Sequence, residues 1–279
     1  MEQFLLDHAG SVRSVAFSGA LLGLAFWELA RPRRNLSFSI GLRWPSNLGL
    51  AVLNGLLTQW LTPVLAIGAA WIAQQHGWGI LRTFPLPGPF ALALALIALD
   101  LGDYAVHRIF HAVHVYWRLH RVHHADLDVD FTTSQRHHPI EVMVVLCLKL
   151  VVVTSLGAPP AVVSIHEVVR LTIDVFNHAN LRLPEPVDRW LRWVVVTPDI
   201  HRVHHSARQV ETDSNYGGLL PWWDWCFGTY CAQPADGHDA MTLGLEGFRE
   251  PRDLCFQRIL VLPFLDEGAD PSEEWLRAD

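Results

Sequence analysis

The chain has 279 residues, 51% of them apolar and 18% charged, with 28 acidic against 21 basic side chains for a formal net charge of −7. A water-soluble domain carries about 25% charge, so the composition points to a membrane, and the apolar content excludes intrinsic disorder. An acidic balance with no basic run beyond Arg31-Pro32-Arg33-Arg34 argues against nucleic acid as a partner.

Residues 14–27 are apolar and uncharged and are followed by Glu28 and the basic run 31–34. A signal peptide carries its basic residues before the apolar run, so a retained membrane helix with its C-terminal end in the cytoplasm is expected here. Residues 44–81 contain no Asp, Glu, Lys or Arg, which predicts one spanning helix, since about 20 residues cross the hydrocarbon core. Trp44, Trp71 and Trp78 mark its interfaces. A Pro/Gly turn opens residues 83–99, and the apolar helix that follows runs into Asp100, Asp103 and the first histidines. Residues 142–165 are apolar apart from Lys149 and are interrupted at Gly157-Ala158-Pro159-Pro160. They predict a helical hairpin that enters and leaves on one side. From residue 182 onward the chain is more polar, with a capped short helix expected at Asp270-Pro271. The four cysteines form no CxxC pair and no disulfide framework. Together these features predict an all-α polytopic membrane helix bundle of four to five membrane helices or hairpin segments, capped on the cytoplasmic side by histidine-rich helices. Basic residues are almost all Arg, a bacterial trait, so an integral protein of a bacterial inner membrane is expected.

Thirteen of the 16 histidines lie between His107 and His205. His107 and His111 are four apart. His120, His123 and His124 follow an HxxHH spacing, and His201, His204 and His205 repeat it within the same five letters, HRVHH. Residues three and four apart share a helix face, so each group aims its imidazoles at one place. Imidazole suits Fe, Zn, Cu and Ni, and eight inward histidines suit two metals better than one. His178, in Asn177-His178-Ala179-Asn180, and His138, in Arg136-His137-His138-Pro139, are positioned to add ligands. His114 and His137 fit no spacing and are expected behind the ligands or at the surface, His166 is buried by pattern, and His8, His76 and His238 read as surface residues. Asp103 is i,i+4 with His107, and Asp174 with His178. A metal-bound imidazole usually gives its other N–H to a carboxylate or carbonyl, so Asp103 is expected to orient His107, and Asp174 either to ligate or to orient His178. Asp199 is placed to cap the helix before His201.

All-histidine donors disfavour Mg and Ca. They leave three classes open: a metal oxygenase, a di-zinc membrane hydrolase, and a non-enzymatic electron-transfer protein holding haem or another metal. Haem calls for single histidines on facing helices rather than triplets on one face.

The segments HRIFH at 107–111, LHRVHH at 119–124, RHHPIE at 136–141, FNHANL at 176–181, TPDIHRVHHS at 197–206 and NYGGLLPWWDWCFGTY at 215–230 resemble the fatty acid hydroxylase/sterol desaturase superfamily. The resemblance covers about residues 95–232. It implies a membrane bundle with two non-haem iron ions held by His107, His111, His120, His123, His124, His201, His204 and His205, with His178 as a further ligand. It implies O2 as co-substrate, a membrane lipid such as a sterol or fatty acyl chain as substrate, and hydroxylation in preference to desaturation. Electrons would come from a separate ferredoxin- or cytochrome b5-like donor. Some members carry a second histidine where this chain has Asp174. Asn215-Tyr216-Gly217-Gly218 reads as a turn behind the last histidine group. The expected organisation is then N-terminal membrane helices over 1–94, a fatty acid hydroxylase-like catalytic domain over 95–232 and a polar C-terminal tail over 233–279.

Overall fold

The structure is a computed structural model, which describes residues 8–58, 62–83 and 87–266. Among these residues the fold is helical, with two isolated bridges, Pro32 to Leu181 and Ser206 to Leu243, in place of strands. The elements are α1 (Ala9–Ala30), α2 (Ile40–Thr58), α3 (Thr62–Gln75), α4 (Gly88–Ala112), α5 (His114–His124), α6 (Pro139–Leu156), α7 (Pro160–His178), α8 (Glu185–Leu191), α9 (Pro198–His204), α10 (Trp222–Phe227) and α11 (Phe256–Val261), with single turns between them. Residues 270–271 lie outside the described residues, and with them the capped turn expected there.

Among the described residues three helices are long and apolar enough to cross a membrane: Gly10–Ala30, Gly88–Ala112 and Pro139–Leu156. The single helix expected over 44–81 is instead two, α2 and α3. Pro63 falls in the first turn of α3, where its missing N–H leaves no helical bond unmade.

The hairpin forms as its sequence predicts. Gly157 ends α6 with φ 66°, and Pro159 and Pro160 start α7. A left-handed residue at this point suits glycine. Space demands glycine too, since a Cβ on Gly157 would stand 2.2 Å from the Trp78 carbonyl oxygen. α3, α4, α6 and α7 close around Ala66, Ala70, Leu99, Val153 and Val162. Small residues here let the four helices approach closely, which is how apolar helices associate without water to drive them together.

Behind the histidine-bearing helices the packing is polar. The buried guanidinium of Arg43, on α2, donates from Nε and Nη2 to the two oxygens of Asp126 at 2.7 and 2.8 Å, and from Nη1 to Asp130 at 2.5 Å. Asn47 adds a 3.0 Å bond to Asp126. This bidentate clamp fixes the buried loop that leaves α5, and a charge pair so fully hydrogen-bonded offsets its own desolvation. Residues 241–265 fold back onto the same loop. Phe248, Ile259, Leu262 and Leu265 pack with Leu50, Val122 and Ala125, while Arg121 donates to the Leu262 carbonyl at 2.8 Å and to that of Leu265.

Candidate metal centre

α4 and α5 meet at a sharp corner at Val113, which caps both helices in an extended conformation. The corner turns the last two turns of α4 back against α5, so that the rings of His111 and His124 come within 4.8 Å and those of His107 and His120 within 5.0 Å. α9 starts at Thr197-Pro198 and delivers His201, His204 and His205 from the opposite side. His178, the last residue of α7, enters between them.

The ring nitrogens gather in two groups. His107, His111, His120, His124 and His204 offer one nitrogen each, all within 4.8 Å of one another, and so do His123, His178, His201 and His205. In the first group the Nε2 atoms of His107 and His120, and of His204 and His107, stand 3.1 Å apart. In the second, His178 Nε2 is 3.0 Å from the Nε2 atoms of both His123 and His201. Metal–nitrogen bonds of about 2.1 Å at right angles would set neighbouring donors about 3.0 Å apart, which is the spacing found.

Nitrogens facing away from the group centres are held from behind. His107 Nδ1 lies 2.8 Å from the Tyr216 carbonyl, His204 Nδ1 2.7 Å from that of Ser214, and His178 Nδ1 2.7 Å from that of Asp174. His120 Nδ1 lies 2.7 Å from Glu141 Oε1. In each case the ring donates its Nδ1 proton outward and keeps the Nε2 lone pair for the centre. The two carbonyls at 214 and 216 belong to one device. Asn215 between them has φ 51°, the one positive φ of a non-glycine among the described residues, and asparagine tolerates that conformation best after glycine. Its side chain bonds the Ile200 carbonyl at 3.0 Å and both backbone groups of Cys231 at 2.8 Å.

Several ring nitrogens have no hydrogen-bond partner although fully buried: Nε2 of His111, both nitrogens of His124 and His205, and Nδ1 of His123 and His201. Orphaned buried polar atoms are costly, and metal bonds would satisfy them. Burial, with the neighbouring imidazoles adding to it, pushes His123, His124, His201 and His205 well below the ordinary histidine range, and burial takes His204 down to about 3. These rings are neutral at physiological pH with their lone pairs free, as metal ligands must be. The nine residues therefore fit two metal ions.

The remaining expectations divide. Nine of the ten proposed ligand histidines come together, and His138 stands apart. Its Nδ1 accepts from the Ile140 N–H at 3.2 Å, and its Nε2 lies 3.1 Å from the Leu260 carbonyl, so it caps α6. Asp103 faces Arg170 at 3.6 Å and His166 at 3.8 Å rather than His107. Asp174 orients His178 through its backbone carbonyl, while its carboxylate takes Arg170 at 2.7 Å. Asp199 pairs with Arg202 and Arg33 and makes no cap bond. His238 is buried beside Asp199 rather than exposed. Glu141 and Asp213 were not foreseen as part of the site, and His137, expected behind the ligands or at the surface, stands behind them. Glu141 binds both His120 and His137. His137 stacks on His123 with ring centroids 4.5 Å apart; burial opposes its charge, but Glu141 holds it above the ordinary range. Asp213 lies 3.3 Å from His111 Nδ1. Only Glu141, i,i+4 from His137, left any trace in the spacing.

A cavity of about 290 Å³ opens from His107, His120, His123, His178 and His201 and runs between α4, α6 and α7. Val106, Phe110, Val142, Val145, Leu146 and Leu171 give it apolar walls, and Asp103, Arg170 and Asp174 make part of its α4 and α7 sides charged.

A family model described as fatty acid hydroxylase matches residues 92–229. Alkylglycerol monooxygenase of Xenopus tropicalis is 30% identical over 220 residues, 77% of this chain and 48% of that protein. Ornithine lipid hydroxylase OlsE of Rhizobium tropici is 31% identical over 149 residues, 53% of this chain and 44% of that protein. Methylsterol monooxygenase 2-2 of Arabidopsis thaliana is 28% identical over 155 residues, 54% and 58% of the two chains. The chain thus spans about half the length of these curated relatives. No solved structure matches it.

Proposed function

Because the chain belongs, through residues 92–229, to the fatty acid hydroxylase family, we propose that it is an O2-dependent membrane lipid hydroxylase whose two histidine groups each hold one non-haem iron. The observation that carries this reading is the pair of groups itself, five and four imidazoles converging at the mouth of an apolar cavity. Imidazoles suit zinc as well as iron, but zinc has no redox chemistry, so the oxygenase reading calls for iron, and the close convergence of nine imidazoles leaves no slot for a flat porphyrin between single axial ligands. The relatives named above are a monooxygenase acting on alkylglycerols, a hydroxylase of ornithine lipids and a methylsterol monooxygenase. A lipid substrate is what they share.

Bound iron supplies O2 activation toward an unactivated C–H bond, chemistry that no side chain offers. The protein's own contribution is geometry and dryness. The carbonyls of Ser214, Tyr216 and Asp174 and the carboxylate of Glu141 fix the ring planes of His204, His107, His178 and His120. Val106, Phe110 and Leu146 line the approach and exclude water from the reacting carbon. Arg170 is bound to Asp174 and lies beside Asp103, holding both carboxylates away from the histidine groups. The substrate enters from the bilayer between the apolar helices, and a separate ferredoxin- or cytochrome b5-like protein delivers electrons.

The basic residues after α1 support a cytoplasmic active site in a bacterial inner membrane. Arg33 reaches Asp199 on α9 at 3.5 Å, so the basic loop lies on the histidine side of the bundle, the side that the positive-inside rule assigns to the cytoplasm. Iron-loaded protein supplied with O2, a reductant and total membrane lipid should yield a lipid heavier by one oxygen atom. Unchanged lipid from protein that carries its iron would refute the assignment.

A further inference from the structure

The cavity has a second, polar end that the metal centre does not use. There Glu167 of α7 is flanked by two cations, Lys149 Nζ at 3.3 Å from Oε1 and Arg13 at 3.8 Å from Oε2. Among the described residues it is the one carboxylate within ion-pair range of either. The trio therefore carries one unbalanced positive charge. The other cation on the cavity wall, Arg170, faces two carboxylates, Asp103 and Asp174, so the excess positive charge is local to the Arg13–Lys149–Glu167 end.

Arg13 lies in the first turn of one of the helices able to span a membrane, and Lys149, the chain's sole lysine, sits inside another. A charge at such a position is costly and marks a ligand or ion path more often than an ornament. Both side chains line the cavity and keep 20% and 32% of their surface open. A purely structural pair needs one cation per carboxylate, and the second has no such explanation.

The dimensions are set by the helices. Lys149 is eight residues along α6 from Glu141, about 12 Å at 1.5 Å per residue, and Glu167 is eleven residues along α7 from His178, about 16 Å. Only apolar side chains line the wall between the two ends on α6, namely Val142, Val145 and Leu146.

We infer that the Arg13–Lys149–Glu167 end of the cavity is a subsite for an anionic group on the substrate, a carboxylate or a phosphate ester, carried on a hydrocarbon chain that runs along the apolar α6 wall. The subsite acts as a ruler: it fixes the anion and thereby selects the carbon about 12–16 Å away that reaches the histidine groups. This rests on the hydroxylase reading, because it takes the cavity as the place where the reacting chain lies.

The test is binding to purified protein in neutral detergent, metal-free and iron-loaded, by displacement of a fluorescent fatty acid. The competitors are palmitate, hexadecyl phosphate, hexadecanol and methyl palmitate. Palmitate or hexadecyl phosphate should bind about tenfold more tightly than the two neutral lipids, as expected for a charge-assisted contact, and the better of the two anions identifies the group. Lys149→Met should abolish that preference while leaving hexadecanol binding unchanged, Lys149→Arg should keep it, and Glu167→Gln should increase it. Equal affinity for acid and alcohol in the unaltered protein, or loss of both in parallel in Lys149→Met with the preference of Lys149→Arg also gone, would overturn the inference. Because metal-free protein reports the preference, its absence in protein that binds iron and hydroxylates lipid sinks the subsite alone, and its presence in protein that binds no iron sinks only the hydroxylase reading.

Discussion

His107 and Tyr216, 109 residues apart, are joined by a 2.8 Å bond from the imidazole Nδ1 to a backbone carbonyl. The carbonyl is aimed by its neighbour, Asn215, whose left-handed backbone also turns the Ser214 carbonyl onto His204. One residue thus orients an imidazole on α4 and another on α9. Asn215→Ala should cost about 2 kcal/mol or more, from left-handed strain and the lost buried hydrogen bonds, and should weaken iron binding. Asn215→Gly, which keeps the backbone, should cost less. Thermal unfolding in detergent and metal titration read both effects, and equal behaviour of the two variants would show that the backbone conformation is immaterial.

Glu141 accepts from His120 at 2.7 Å and from His137 at 3.0 Å. Glu141→Gln preserves size and removes the charge that fixes His120. Iron affinity should fall about 10–100-fold, measured by competition with a chelator, with little change in unfolding temperature. Unchanged affinity would mean that His120 needs no orienting partner.

His138 separates ligand from neighbour. Its ring caps α6, and asparagine is among the best caps. His138→Asn should keep full iron content, whereas loss of iron in that variant would place His138 among the ligands.

The Arg43–Asp126 clamp predicts an acid sensitivity. Burial disfavours the Asp126 charge, but Arg43 outweighs it and holds the carboxyl at about 2, below its ordinary value of 3.8. A depressed folded value means that the stabilisation is present above the ordinary carboxylate range and is lost as pH falls toward about 2. Asp126→Asn leaves Arg43 with Asp130 as its remaining charged partner and should destabilise by about 1.5–3 kcal/mol at neutral pH, the worth of a hydrogen bond to a charged group. It should also flatten the part of the acid unfolding curve between pH 4 and 2. An unaltered acid profile would contradict the clamp's role.

Much of this was legible in the chain because helix periodicity is local. The i,i+3,i+4 spacing of His120, His123 and His124, and of His201, His204 and His205, already put three rings on one face. The hairpin was written in Gly157 and the two prolines. What escaped was non-local or carried by the backbone. No side-chain pattern announces that the carbonyls of Ser214 and Tyr216 orient two histidines, or that Arg43 meets Asp126 from 83 residues away. Asp103 is i,i+4 with His107, yet an arginine on a neighbouring helix competes better for a carboxylate than a neutral imidazole does. Lys149 read as an interruption of an apolar run until Glu167 and Arg13 were seen beside it.

The central claim is that two histidine groups hold two irons, and the metal content of the purified protein tests it most directly. The account predicts two irons per chain in the unaltered protein, and loss of at least one in His204→Ala, from the five-histidine group, and in His123→Ala, from the four-histidine group. Two irons retained in either variant, stoichiometric zinc in place of iron, or a haem Soret band would contradict it.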